Sequence, residues 1–141
     1  MLITKRAMHK KVWPGKWTVP GGGLESDDYT KRPPTHPGET DQWYGVVEHS
    51  IRREVMEETG LELTRPWFVT DLAFVRPDGI PVLVLSYAAF VANVKYDIVL
   101  DDDSIDFAWV SLHQAKSFNL IDGIYEELKM ADRQRQERGV V

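Results

Sequence analysis

At 141 residues the chain has the length for one domain around one core, and its 43% hydrophobic content is ordinary for a globular fold. It contains no cysteine, which excludes disulfides and zinc–thiolate centres and suits a reducing cytoplasm. A formal charge of −5 argues against a basic surface for a nucleic-acid polymer, and no apolar run is long enough to span a bilayer, so neither partner is expected.

Met1 to Arg6 reads as the end of a strand, with Leu2 and Ile3 apolar before the charges begin. A basic cluster of Lys5, Arg6, His9, Lys10 and Lys11 follows, and Trp13-Pro14-Gly15-Lys16 is a turn by its Pro-Gly pair. The cluster is either a solvated loop or a phosphate-facing patch, with Arg6 and Lys16 the better candidates to touch a substrate. Trp17 to Glu25 reads as a strand running into Gly21-Gly22-Gly23, a triplet that lets backbone approach a ligand closely. Residues 26–44 combine prolines and charges at a density that predicts a loop. Trp43 and Tyr44 at its end are stacking candidates if the loop forms a lid or pocket wall.

A helix is predicted from near Gly45 through Thr59. Val47, Ile51 and Val55 recur every four residues as its buried stripe with Met56 beside it, Ser50 suits close packing, and Glu48 and His49 face solvent. After Gly60, the strand formers of Trp67–Val75 and the apolar run Pro81–Val91 flank Arg76-Pro77-Asp78-Gly79, which predicts a β-hairpin whose second strand is covered on both faces. A further strand is expected at about Lys95 to Leu100. The acidic run Asp101 to Asp106 then leads to Phe107-Ala108-Trp109-Val110. Ser111 caps a short helix reaching Phe118, and Asn119 caps a final helix bearing Ile121, Ile124, Tyr125 and Leu128. The tail from Ala131 is polar all round and is expected to fray.

The predicted helix from Gly45 to Thr59 carries the chemistry. On a helix Glu54 meets both Glu57 and Glu58 along one edge, and Arg53 reaches Glu57. Carboxylates crowded in this way either face open water or hold a divalent cation.

With the glycine turn upstream, Arg53-Glu54-Val55-Met56-Glu57-Glu58-Thr59-Gly60-Leu61 resembles the Nudix hydrolase family. That family's signature is a glycine, five residues, a glutamate, seven residues, then R-E-U-x-E-E-x-G-U with U aliphatic. The second half matches at every fixed position. Counting back from Arg53, however, the helix-start glutamate falls on Gly45, and Gly22 lies 31 residues before Arg53 where the family has 14. An insert at about 26–44 is therefore expected, with Glu39 or Glu48 as alternatives for the missing glutamate.

The resemblance implies a single α/β domain over residues 1–141, an α/β/α sandwich with a mixed sheet between the signature helix and a C-terminal helix. It implies a hydrolase cleaving the diphosphate linkage of a nucleoside triphosphate, oxidised or not. The alternatives are an ADP-ribose or nucleotide-sugar diphosphatase and a non-catalytic nucleotide-binding module. Mg²⁺ or Mn²⁺ would be held by Glu57, Glu58, Glu54, the Gly22 carbonyl and Asp103. Glu54 could equally be the general base, Arg53 would orient a carboxylate, Pro77 stands close to where ADP-ribose-cleaving members have a proline, and Asn119 is a candidate substrate contact. The family leads one to expect a strand before Met1, whose loss would leave a sheet edge for a partner subunit to cover in a homodimer.

Overall fold

A computed structural model describes residues 1–92 and 97–139. Five strands and four helices follow in the order β1 (Leu2–Arg6), β2 (Trp17–Thr18), α1 (Asp27–Thr30), α2 (Val46–Thr59), β3 (Trp67–Val75), β4 (Pro81–Ala88), β5 (Ser104–Trp109), α3 (Leu112–Ala115) and α4 (Ile124–Glu137). The class is α/β, as expected. The strands form two antiparallel sheets, β2-β1-β5 and the hairpin β3-β4, and parallel pairing enters through the isolated bridge between Trp17 and Leu120.

The core forms where the central strand meets the C-terminal helices. Ile3 is fully buried and packs with Val110, Ala115, Ile124 and Leu128, while Trp17 and Phe118 close the rim edge-to-face at 4.8 Å. Burying such side chains stabilises the fold by ~1.5–3 kcal/mol each. Strand β1 is paired on both sides, by β2 and β5, and is the centre of its sheet.

Several sequence expectations are corrected. Within the stretch expected to be a loop, residues 27–30 make the single helical turn α1, led by Asp27 and Asp28. Strand β4 is not covered on both faces: exposed and half-buried residues alternate, and Leu83 stays 69% exposed. In α2 Met56 points outward, whereas Ser50 and Thr59 are buried with Val55. The strand expected at Lys95 to Leu100 begins outside the described residues, and 97–100 have no regular structure.

Helix α3 has the predicted cap as a complete capping box. Ser111 Oγ accepts from the Gln114 N–H at 3.2 Å, and Gln114 Oε1 accepts from the Ser111 N–H at 2.9 Å. The last helix starts at Gly123 and not at Asn119, because Ile121 donates to the Trp17 carbonyl and Leu120 bridges the same residue. Its polar end remains helical to Glu137. Gln134 donates to the Val69 carbonyl, and the Arg138 guanidinium lies 5.0 Å from the Trp67 ring, so the tail is docked on the hairpin. No described helix is long and apolar enough to cross a membrane.

Candidate functional site

Arg53, midway along α2, draws three segments together. Its Nε donates to Asp28 Oδ1 at 2.6 Å and its Nη1 to Glu57 Oε2 at 2.9 Å. Its Nη2 donates to Glu54 Oε1 at 2.9 Å, Asp28 Oδ2 at 3.1 Å and the Gly23 carbonyl at 3.3 Å. The guanidinium fork, always charged and rich in directed donors, is suited to such a hub. Asp28 is buried, with its side chain 1% exposed, and also accepts from the Glu25 N–H at 2.9 Å, so its charge is fully partnered. The Arg53 guanidinium, aided by that N–H, holds the Asp28 carboxyl far below the usual aspartate range, and Asp28 in turn raises Arg53.

The glycine turn lies against the same helix. The Gly21 N–H donates to Glu58 Oε2 at 2.9 Å, and a side chain on Gly22 would overlap the Glu54 carboxyl group and push it from its place. Burial pushes Glu58 up to about 7. The Gly21 N–H opposes that rise, and the charges of Asp101, Glu54 and Asp103 add to it. Burial also raises Glu54, against the pull of Arg53. Asp103 is lowered, chiefly by Lys10, whose ammonium stands 2.7 Å from Oδ2.

These groups line a cleft of about 480 Å³. One wall is the glycine turn with Arg53, Glu54, Glu57 and Glu58, and the other carries Arg6, Lys10, Asp101 and Asp103. Among the described residues no group of three or more His, Asp or Glu is arranged to hold a metal ion as it stands, and Arg53 engages both Glu54 and Glu57. The donor set is nevertheless all oxygen, Glu54, Glu57, Glu58, Asp103 and the turn carbonyls, which is what hard divalent cations select. Glu58 is partly buried and, among the described residues, its charge has no cationic partner, so it is the kind of group a cation would relieve.

The structure therefore brings together Arg6, Gly22, Arg53, Glu54, Glu57, Glu58 and Asp103. Three predicted substrate contacts do not line this cleft. The Trp43 indole donates to the Arg32 carbonyl at 2.9 Å and its ring packs on Tyr29, so it is committed within the inserted segment. Asn119 lines a separate open hollow at the α3–α4 junction, where its carbonyl accepts from the Trp17 N–H. Lys16 serves through its backbone, accepting from the Arg6 N–H and donating to the Trp13 carbonyl.

Neither Glu39 nor Glu48 replaces the missing glutamate. Glu48 pairs with Arg52 at 3.1 Å, and Glu39 is exposed in the loop. Gly45 has φ 72° at the start of α2, a left-handed backbone that a glutamate would strain. Asp28 meets Arg53 instead, and sequence reasoning missed it. The signal was present: five residues separate Gly22 from Asp28, so counting forward from the glycine finds an aspartate in the glutamate's place. The inserted residues thus fall after Asp28 and not from Ser26.

Comparison with known proteins bears on this geometry. The NUDIX domain model matches residues 1–130. A nucleoside triphosphatase NudI from Enterobacter sp. (strain 638) is 33% identical over 131 residues, covering 86% of this chain and 77% of the relative. Its counterpart from Salmonella schwarzengrund is 31% identical over 129 residues, covering 84% and 78%. Among solved structures, a MutT protein from Methanosarcina mazei Go1 superposes with a TM-score of 0.68 at 23% identity, covering 96% of this chain and 84% of that one. The NUDIX domain of Shewanella oneidensis NrtR, complexed with ADP ribose, gives 0.65 at 16% identity, covering 94% and 75%. At these identities the solved structures speak for the fold.

Proposed function

We propose, because the chain belongs to the Nudix family and is an enzyme of the hydrolase class, that its cleft cleaves the diphosphate linkage of a nucleoside triphosphate with Mg²⁺ or Mn²⁺. The observation that carries the reading is the Arg53 hub. One guanidinium aligns Asp28, Glu54, Glu57 and the Gly23 carbonyl, while Glu58 is fixed to the turn, so carboxylates gather where a cation and a polyphosphate would meet. The choice of a triphosphate is supported by the curated relatives, which are nucleoside triphosphatases.

Glu58, Glu57, the Gly22 carbonyl and Asp103 would hold the cation, with Glu54 as a further ligand or as the base. A bound divalent cation offsets the negative charge of the phosphate oxygens and lowers the pKa of a coordinated water. Arg53 orients Glu54 and Glu57 through its guanidinium hydrogen bonds. Burial strengthens the hold of Glu54 on a proton, which fits it to receive one from the attacking water. Arg6 faces the substrate from the opposite wall.

The test is a Mg²⁺-dependent hydrolysis panel of ordinary and oxidised nucleoside triphosphates, ADP-ribose and nucleotide sugars, with both products identified. Monophosphate and pyrophosphate from triphosphates are expected. Turnover confined to ADP-ribose or nucleotide sugars would overturn the substrate, and metal binding without turnover of any member would overturn the reaction.

A further inference from the structure

Besides Arg53, the cations that line the cleft are Arg6, at the end of β1, and Lys10, in the segment 7–16 that joins β1 to β2. This segment is pinned at several points. The Ala7 N–H donates to the Asp103 carbonyl at 2.9 Å, Arg6 Nε donates to the Val12 carbonyl at 3.1 Å, and the Lys10 N–H donates to the Ala7 carbonyl at 3.2 Å. From the hairpin, the Phe74 ring meets Trp13 at 5.9 Å and Asp78 pairs with Lys11 at 3.7 Å. Lys10 is thereby presented to the cleft on a braced turn, its side chain 26% exposed.

The partner of Lys10 is replaceable. Asp103 is half exposed, and a pair of that kind holds weakly in water. An anion carrying several charges, delivered to the same cleft, offers the ammonium more than one carboxylate can. We propose that Lys10 is a polyphosphate-contacting residue held ready by Asp103, and that the phosphate chain of the substrate displaces the carboxylate from its ammonium. The inference rests on the cleft being the nucleotide site. It adds a binding residue from the β1–β2 loop, and it gives Asp103 the role of aiming the lysine before substrate arrives.

The experiment compares Lys10→Met, Lys10→Arg and Asp103→Asn with the unaltered chain. Steady-state kinetics on a nucleoside triphosphate is paired with calorimetric binding of inorganic tripolyphosphate in the presence of chelator. Lys10→Met is expected to raise KM and weaken tripolyphosphate binding by roughly ten- to a hundredfold, the loss of one charge-assisted hydrogen bond, while kcat stays within about threefold. Lys10→Arg should recover most of that loss. Asp103→Asn should tighten metal-free tripolyphosphate binding, since the competing carboxylate is gone. Unchanged tripolyphosphate binding in Lys10→Met, or weaker binding in Asp103→Asn, overturns the proposal. Should no triphosphate be hydrolysed while tripolyphosphate binding still depends on Lys10, the substrate reading fails and the phosphate contact stands.

Discussion

Helices α2 and α4 are both fourteen residues long, and each starts from a left-handed glycine without a side-chain cap. They are held in opposite ways. Helix α4 buries Ile124 and Leu128 in the core beside Ile3 and Val110. Helix α2 buries Ser50 and Thr59 with Val55 and is fastened along one edge by the ion pairs of Arg53 and by Glu58 on the Gly21 N–H. Apolar burial holds a helix without fixing any single group, whereas directed polar contacts fix each group at some expense in stability. The chain uses the second kind of fastening where it needs carboxylates in defined places.

The sharpest way to break that contrast is Glu58→Gln. Turnover should fall by at least about a hundredfold, yet the metal-free protein should become more stable. The Glu58 pKa in the fold lies above its ordinary 4.5, at about 7, so the folded state binds the extra proton between those values and stability declines as pH rises through them. Glutamine carries no such charge, and the gain, ~1–3 kcal/mol, should be largest in thermal melts at pH 8 and vanish near pH 4. The mirror experiment is Leu128→Ala, which should cost ~2–5 kcal/mol in urea unfolding while the folded fraction keeps its kcat.

Asp28→Asn tests the hinge between the two kinds of fastening. Loosening Arg53 should reduce kcat roughly ten- to a hundredfold through misplaced glutamates. Because the folded pKa of Asp28 is depressed, its stabilisation is complete above the ordinary aspartate value and lost as pH falls below it. The melting difference between Asp28→Asn and the unaltered chain should therefore be widest near pH 7 and shrink with acid. Trp43→Ala should have the smallest effect, with KM within about twofold, since its ring is occupied by Tyr29 and the Arg32 carbonyl outside the cleft.

Local pattern made β1, α2, the β3–β4 hairpin and the Ser111 cap legible, because periodicity, a glycine stop, Pro-Asp-Gly and a serine each act over a few residues. Contacts between distant segments were not legible in the same way. The start of α4 depends on Trp17 holding Leu120 and Ile121, about a hundred residues away in sequence. Docking of Gln134 and Arg138 on the hairpin keeps helical a tail that would fray alone. In β4 both faces are apolar, so alternation was hidden and its open face could not be read. At the site, the second half of the signature pointed to Arg53 and the glutamates, but counting backward across an insertion passed over Asp28.

The grip of Arg53 on Asp28 also bears on how the chain tolerates change. It fastens the chain on one side of the inserted residues while α2 begins on the other at Gly45, so the intervening stretch is a loop whose two ends are already fixed. Closing such a loop depends only logarithmically on its length, about 0.6 kcal/mol for each doubling. Residues 31–44 line no part of the cleft, so changes of length there are expected to leave the contacts that shape it in place.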